Sequence, residues 1–195
     1  MRIFMVTNPV LEAIKSRRAV RSFEEKPISE PDIQILLEAA TYAPTAINIQ
    51  PWKFVIITNK SEMKKLSDIA KPALLLTLPD VGDEGIMGLK QRLSSPQYNI
   101  FYNAPLLVIV AGAKTPFAVN DCSMAAQNMM LAAYSIGLGS CWIGTAVPAT
   151  NQPKIKAELG IPEDQEVYAA LIFGYPKGQP KTHRKNPPQI LKRIA

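Results

Sequence analysis

The 195-residue sequence predicts one layered domain of the α+β or α/β class, with helices covering a sheet. Three observations carry that expectation. LLVIVAG (106–112) is aliphatic and β-branched throughout, the pattern of a central strand buried on both faces. WKFVIIT (52–58) and EVYAALIF (166–173) supply two further strand patterns. Apolar stripes at helical spacing lie between them, joined by short connections.

In chain order, Asn8 caps a first helix with Pro9 at its first position. Val10, Leu11 and Ile14 form its apolar stripe, and Lys15, Arg17 and Arg18 close it. Cations suit a helix C-terminus, yet Arg21 carries the cluster past the helix end. RRAVRSF thus gathers three guanidinium groups in one bend, which must be neutralised by an anion or by Glu24 and Glu25. The residues alone leave both readings open. Ser29 caps a second helix, with Asp32 three residues on as in a capping box and Ile28 and Ile33 as a hydrophobic staple. Ile33, Leu36, Leu37 and Ala40 form its buried face, and it ends near Tyr42.

APTAINIQPW (43–52) follows. Pro44 and Pro51 exclude regular helix between them and bias their neighbours towards extended geometry. Thr45, Asn48 and Gln50 offer a hydroxyl and two uncharged amides, each amide both donor and acceptor. Such a set suits the edge of a planar ligand that alternates carbonyls with N–H groups. It equally suits a polar loop that caps its own backbone. Past the strand, Ser61 caps a short helix reaching about Ala70. Residues 71–100 read as an irregular, lid-like excursion, apolar at Leu74, Leu75, Leu76 and Leu78 but interrupted by Pro72, Pro79, Gly82, Gly85 and Gly88. A largely helical cover over a pocket and a plain surface excursion both fit it.

Beyond the central strand, Asn120 and Asp121 start a long helix, CSMAAQNMMLAAYSI, apolar nearly all round. Burial on so many sides suggests a second subunit against its outer face. Its Met124, Met129 and Met130 read as core packing. Gly137 and Gly139 end it and allow close backbone approach at GLGSCWIG, whose spacing is not that of a dinucleotide-binding GxGxxG. A small helix spans Pro153 to Leu159, stopped by Gly160 and Pro162, and residues 174–195 read as an extended Pro- and Lys-rich arm.

Composition narrows the function. Hydrophobic residues make up 47% and charged residues 19%, ordinary for a soluble protein. The net charge of +6 comes from clusters near the start and at the end (Lys177, Lys181, Arg184, Lys185, Lys192, Arg193), without interleaved aromatics. That favours a local phosphate site over a nucleic-acid groove. Cys122 and Cys141 are too few for a disulfide framework, and one histidine, His183, makes a zinc site improbable. The N-terminus shows no signal-peptide pattern and no apolar run is long enough to span a membrane, so a cytoplasmic protein is expected.

A cationic bend, an amide-rich strip, a glycine-lined backbone and a second cationic group together suit a phosphate joined to a flat heterocycle, as in FMN. At these residues the chain resembles the nitroreductase family. RRxxR, APTAxNxQPW, YNAPLLVIV, DCSMAAQNMMLAAYSIGLGSCWIG and FGYP occur in the family's order from about Val10 to Lys185. The resemblance implies a single domain over 1–195 with a central mixed, mainly antiparallel sheet covered by helices, and a homodimer with an extended C-terminal arm. It implies FMN at the subunit interface and NAD(P)H as reductant. Arg17 and Arg18 would meet the phosphate end, with Ala19 beside them. Arg21 would face the N1 and C2 carbonyl side of the flavin. Pro44, Thr45, Asn48 and Gln50 would come from the second subunit, Cys141 to Gly144 would line one flavin face with a backbone N–H near N5, and Arg184 and Lys185 would close on the phosphate. The family usually has serine at the positions of Ala19 and Thr45.

The activity so implied is hydride transfer from NAD(P)H to flavin N5, then to a nitroaromatic, quinone or similar small acceptor, by a ping-pong cycle on one shared face. No side chain need act as general acid or base, since the cofactor carries the chemistry. Enone reduction, dehalogenation, an oxidase step or a non-enzymatic flavin-binding role are the alternatives on the same scaffold. No nucleic acid, membrane or metal is expected.

Overall fold

The structure, a computed structural model, describes residues 8–80, 82–180, 182 and 184–194. The N-terminal MRIFMVT and the tail residues Lys181 and His183 lie outside the described residues. Seven helices and four strands follow in the order α1 (Pro9–Ser16), α2 (Glu30–Thr41), β1 (Trp52–Ile57), α3 (Lys60–Thr77), α4 (Glu84–Ser94), β2 (Leu106–Ala113), α5 (Ala118–Ser135), β3 (Gly139–Trp142), α6 (Val147–Thr150), α7 (Pro153–Glu158) and β4 (Gln165–Gly174).

The strands form one sheet in the order β1-β2-β4-β3, and each pairing is antiparallel. A parallel bridge joins Ala19 to Ser140 at the β3 edge. Successive side chains point to opposite faces, and the apolar strands divide accordingly. Leu106, Val108 and Val110 join Leu171 and Phe173 in a core under α2 and α5. Leu107, Ile109 and Ala111 join Ala170 and Ile172 in a second core under α3 and α4. An irregularity between Val110 and Ala111 shifts the register by one residue of β4. The continuous apolar run of β2 therefore serves two cores.

Caps act where the residue chemistry demands. The Leu11 N–H donates to Asn8 Oδ1 at 3.0 Å, and the Asp32 N–H donates to Ser29 Oγ at 3.2 Å. Asn59, not Ser61, caps α3, accepting from the N–H groups of both Ser61 and Glu62. The expected stop near Ala70 does not occur, and α3 runs through Pro72 to Thr77. An interior proline costs a helix about 3 kcal/mol. That cost is offset because Leu74, Leu75 and Leu78 pack against the core. Buried Lys71 also pins the turn by donating to Ser95 O (3.1 Å) and Tyr98 O (3.0 Å). The stretch 71–100, read as an irregular excursion that a largely helical cover would also fit, holds the end of α3, all of α4 and the start of a turn over 95–103. The long helix starts at Ala118, slightly earlier than read, which places Asp121 in its first turn.

Among the described residues from Tyr175 on, there is no helix or strand beyond a bridge between Pro176 and Phe23. Hydrogen bonds from Glu24 N to Tyr175 O and Lys177 N to Ser22 O fasten the start of the arm to the RRAVRSF bend.

Candidate active site

Edge strand β3 organises the site. Its first residue, Gly139, stands against Val20; a Cβ there would lie 2.6 Å from Val20 Cγ2. Only glycine lets the RRAVR segment lie this close, with Val20 N donating to Ser140 O at 2.9 Å. The segment is thereby hung as a short extra rung beside β3. Its guanidinium groups fan out around a cavity of about 590 Å³ lined by Arg17, Arg18, Arg21, Lys177 and Lys185 among others. Ala19 lines it too, and Arg184 does not. No carboxylate lines it among the described residues, and Glu24 and Glu25 make no ion pair there. Of the two readings of the cationic bend, salt bridging is the one the structure does not bear out.

Arg18 divides its duties. Its Nη1 donates to Lys15 O (2.6 Å) and Arg17 O (2.8 Å), closing the C-terminus of α1. Its Nε is buried without a partner, as is Ser140 Oγ. Both residues line an adjoining cavity of about 380 Å³. Unpaired buried polar atoms cost about 1–3 kcal/mol each, and these two beside a ring of cations suit an anion with several acceptor oxygens. A phosphate group fits this donor set.

Arg21 belongs also to a second, narrower cavity of about 140 Å³, lined by Cys141, Trp142, Ile143, Gly144 and Thr145 and by Tyr98 and Tyr102. Burial pushes the Cys141 thiol up, against the lowering influence of Arg21 and Arg17. A neutral small side chain is what that leaves beside the cavity. The Ile143 N–H is spent on Ala170 O at 2.8 Å. Gly144 and Thr145 open the 3-10 turn at 144–146, and their N–H groups donate to nothing among the described residues. They are the backbone donors free for a ligand.

The amide-rich strip lies elsewhere. It leads into β1, at the opposite edge of the sheet from β3. Three strand spacings separate the edges, roughly 14 Å. The two are also offset along the strands: Trp52 and Gly112 share a row with Glu166, whereas Ser140 pairs with Phe173. Those seven residues add roughly 23 Å. Within one chain, Pro44, Thr45, Asn48 and Gln50 therefore do not meet the cations. Asn48 Oδ1 accepts from Gln50 Nε2 at 2.7 Å, and Thr45 Oγ1 accepts from Gln50 N at 3.3 Å. Ile47, Asn48 and Gln50 all adopt left-handed backbone (φ 44°, 59° and 49°). For a β-branched residue that is strained, and Ile47 is moreover 90% exposed. The turn is tied to α5 by Ala46 N donating to buried Asp121 Oδ1 at 3.2 Å.

Sequence reasoning gave Tyr98 and Tyr102 no role in the site, and met Tyr102 only as the first residue of YNAPLLVIV. Their hydroxyls are 3.0 Å apart and their rings meet edge to face. Tyr102 also adopts left-handed backbone, φ 53°. No periodicity signals either residue; the asparagines of YNIFYNAP, prone to turns, are the one available hint.

Known proteins resemble this chain over most of its length. The profile of the nitroreductase family matches residues 14–175. A protein of Archaeoglobus fulgidus, provisionally named an NADH dehydrogenase/NAD(P)H nitroreductase, is 31% identical over 87% of this chain and 86% of its own. A nitrobenzene nitroreductase of Ectopseudomonas oleovorans is 30% identical over 88% of each chain. The crystal structure of a nitroreductase with bound FMN from Bacteroides fragilis superposes with a TM-score of 0.80 at 34% identity, covering 97% of this chain and 100% of that one. With the family profile matching residues 14–175 and the fold shared over most of its length, the chain belongs to the nitroreductase family.

Proposed function

We propose that the protein is a cytoplasmic, homodimeric FMN-dependent oxidoreductase that passes electrons from NAD(P)H to a small nitroaromatic, quinone or similar acceptor. The observation that carries this reading is the carboxylate-free cavity with five cations at the β3 edge, joined through Arg21 to the Cys141–Thr145 strip. Bound there, FMN supplies the hydride-accepting N5 and a face that nicotinamide and acceptor occupy in turn. Arg17, Lys177 and Lys185 neutralise the phosphate. Arg21 is a fixed cation that favours negative charge building on the flavin's pyrimidine edge. The free Gly144 and Thr145 N–H groups orient the ring's centre. The bound FMN in the Bacteroides fragilis relative supports the cofactor, the name of the Archaeoglobus relative supports the reductant, and that of the Ectopseudomonas relative supports a nitroaromatic acceptor.

The distance between the two edges supports the dimer. Thr45, Asn48 and Gln50 reach a flavin only if it is a second chain's. Exposed apolar side chains on α1 (Val10, Ile14), on the strip (Ile47, Ile49) and on α5 (Val119, Met124) are the surface such a pairing would cover. Among the described residues no helix is long and apolar enough to cross a membrane.

Anaerobic stopped-flow spectroscopy tests the reading. The purified protein should be yellow, bleach with NADH or NADPH, and recolour with nitroaromatics, quinones or both but not with enones. Arg21→Ala should bleach more slowly and lower the flavin potential. A colourless protein that takes up no FMN would sink the proposal. Light scattering should find two chains and two flavins per particle; a fully loaded monomer would overturn the shared site.

A further inference from the structure

Arg21 lines the narrower cavity. Cys141 lines the same narrow cavity, and the ring of Tyr102 stands beside the cation, its centroid 6.0 Å from the guanidinium carbon. That contact is at the outer edge of cation–π range, but Tyr102 is itself unusually fixed. Its left-handed backbone is costly for a bulky residue, and such strain persists only where the surroundings over-determine it. Here they do. Tyr102 N donates to Asn99 O (2.9 Å), and buried Asn99 accepts from Phe101 N (2.9 Å) and donates to Asn103 Oδ1 (3.1 Å). Ser67 of α3 accepts from Ile100 N at 3.0 Å. Tyr98, bonded to the Tyr102 hydroxyl, has its own carbonyl clamped by buried Lys71. Together these bonds hold the turn that carries Tyr102, whose ring stands beside Arg21.

We infer that Tyr102 is a positioning residue that holds Arg21 against the flavin, and that α3 reaches the flavin potential through it. This rests on the FMN reading above. A ring worth about 0.5–1 kcal/mol to an exposed cation corresponds to a two- to fivefold change in the ratio of positioned to released Arg21. Bleaching by NADH should slow by that factor when the ring is lost. The hydroxyl pair supports the ring; the ring face holds the cation.

The test uses the FMN-loaded protein. Tyr102→Leu should keep one FMN per chain, bleach about two- to fivefold more slowly, and shift the midpoint potential in the direction of Arg21→Ala but by less. Tyr102→Phe, which keeps the ring, should recover most of both. Tyr102→Asn suits the left-handed backbone, so it guards against a folding failure of the leucine variant and should show the same lowered potential. A merely structural residue would move the melting temperature and leave the potential alone. Flavin-loaded leucine or asparagine variants with the wild-type potential and rate would overturn the inference while leaving the FMN reading intact. Wild-type protein that binds no FMN would sink both.

Discussion

The two edges of the sheet are built on opposite plans. At the β3 edge a backbone contact too close for any side chain hangs three arginines around a cavity, and the start of the C-terminal arm adds lysines. At the β1 edge three left-handed residues hold two amides outward, bonded to one another. One edge has unspent charge, and the other has spent strain. In the proposed dimer each is half of a site: the cations would meet the phosphate of a ligand whose heterocycle the partner's amides would read. A fold that pairs with a copy of itself can leave both halves incomplete in the single chain.

Substitutions at the two edges should separate their roles. Arg17→Ala should act most strongly, weakening FMN binding by roughly 10- to 100-fold, the worth of a hydrogen bond to a charged group. Fluorescence titration of the stripped protein measures it, and unchanged affinity would remove Arg17 from the phosphate. Gly139→Ala should come next. Its methyl would collide with Val20, so stability in urea should fall by about 1–3 kcal/mol, with FMN weakened although no charge is touched. Asn48→Gly is the mildest. Glycine keeps the left-handed backbone and removes only the amide, so FMN affinity should fall about two- to tenfold, as for one neutral hydrogen bond, with stability unchanged. Full affinity in that variant, beside a crippled Arg17→Ala, would detach the β1 edge from the flavin site.

Much of this was legible in the residues. The capping pairs at Asn8 and Ser29 and the apolar run of β2 are local rules that the fold obeys. Arg18 bears out the capping reading without using up its side chain, since it closes α1 with one nitrogen and leaves another unpaired beside the cavity. What was not legible depended on distant partners. Pro72 reads as a helix stop, and only the packing of Leu74, Leu75 and Leu78 with the anchoring of Lys71 carries α3 past it. The pairing of Tyr102 with Arg21 joins residues 81 positions apart through a turn whose geometry no local pattern announces.

The separation of the two edges has a genetic consequence. In the proposed dimer, each chain's amide strip serves its neighbour's cations. A chain that has lost Arg17 would still lend a sound strip to a normal partner, so mixed pairs would keep one working centre. Alleles damaged at the β3 edge should therefore be recessive, and an allele damaged at the β1 edge should restore activity when co-expressed with one of them.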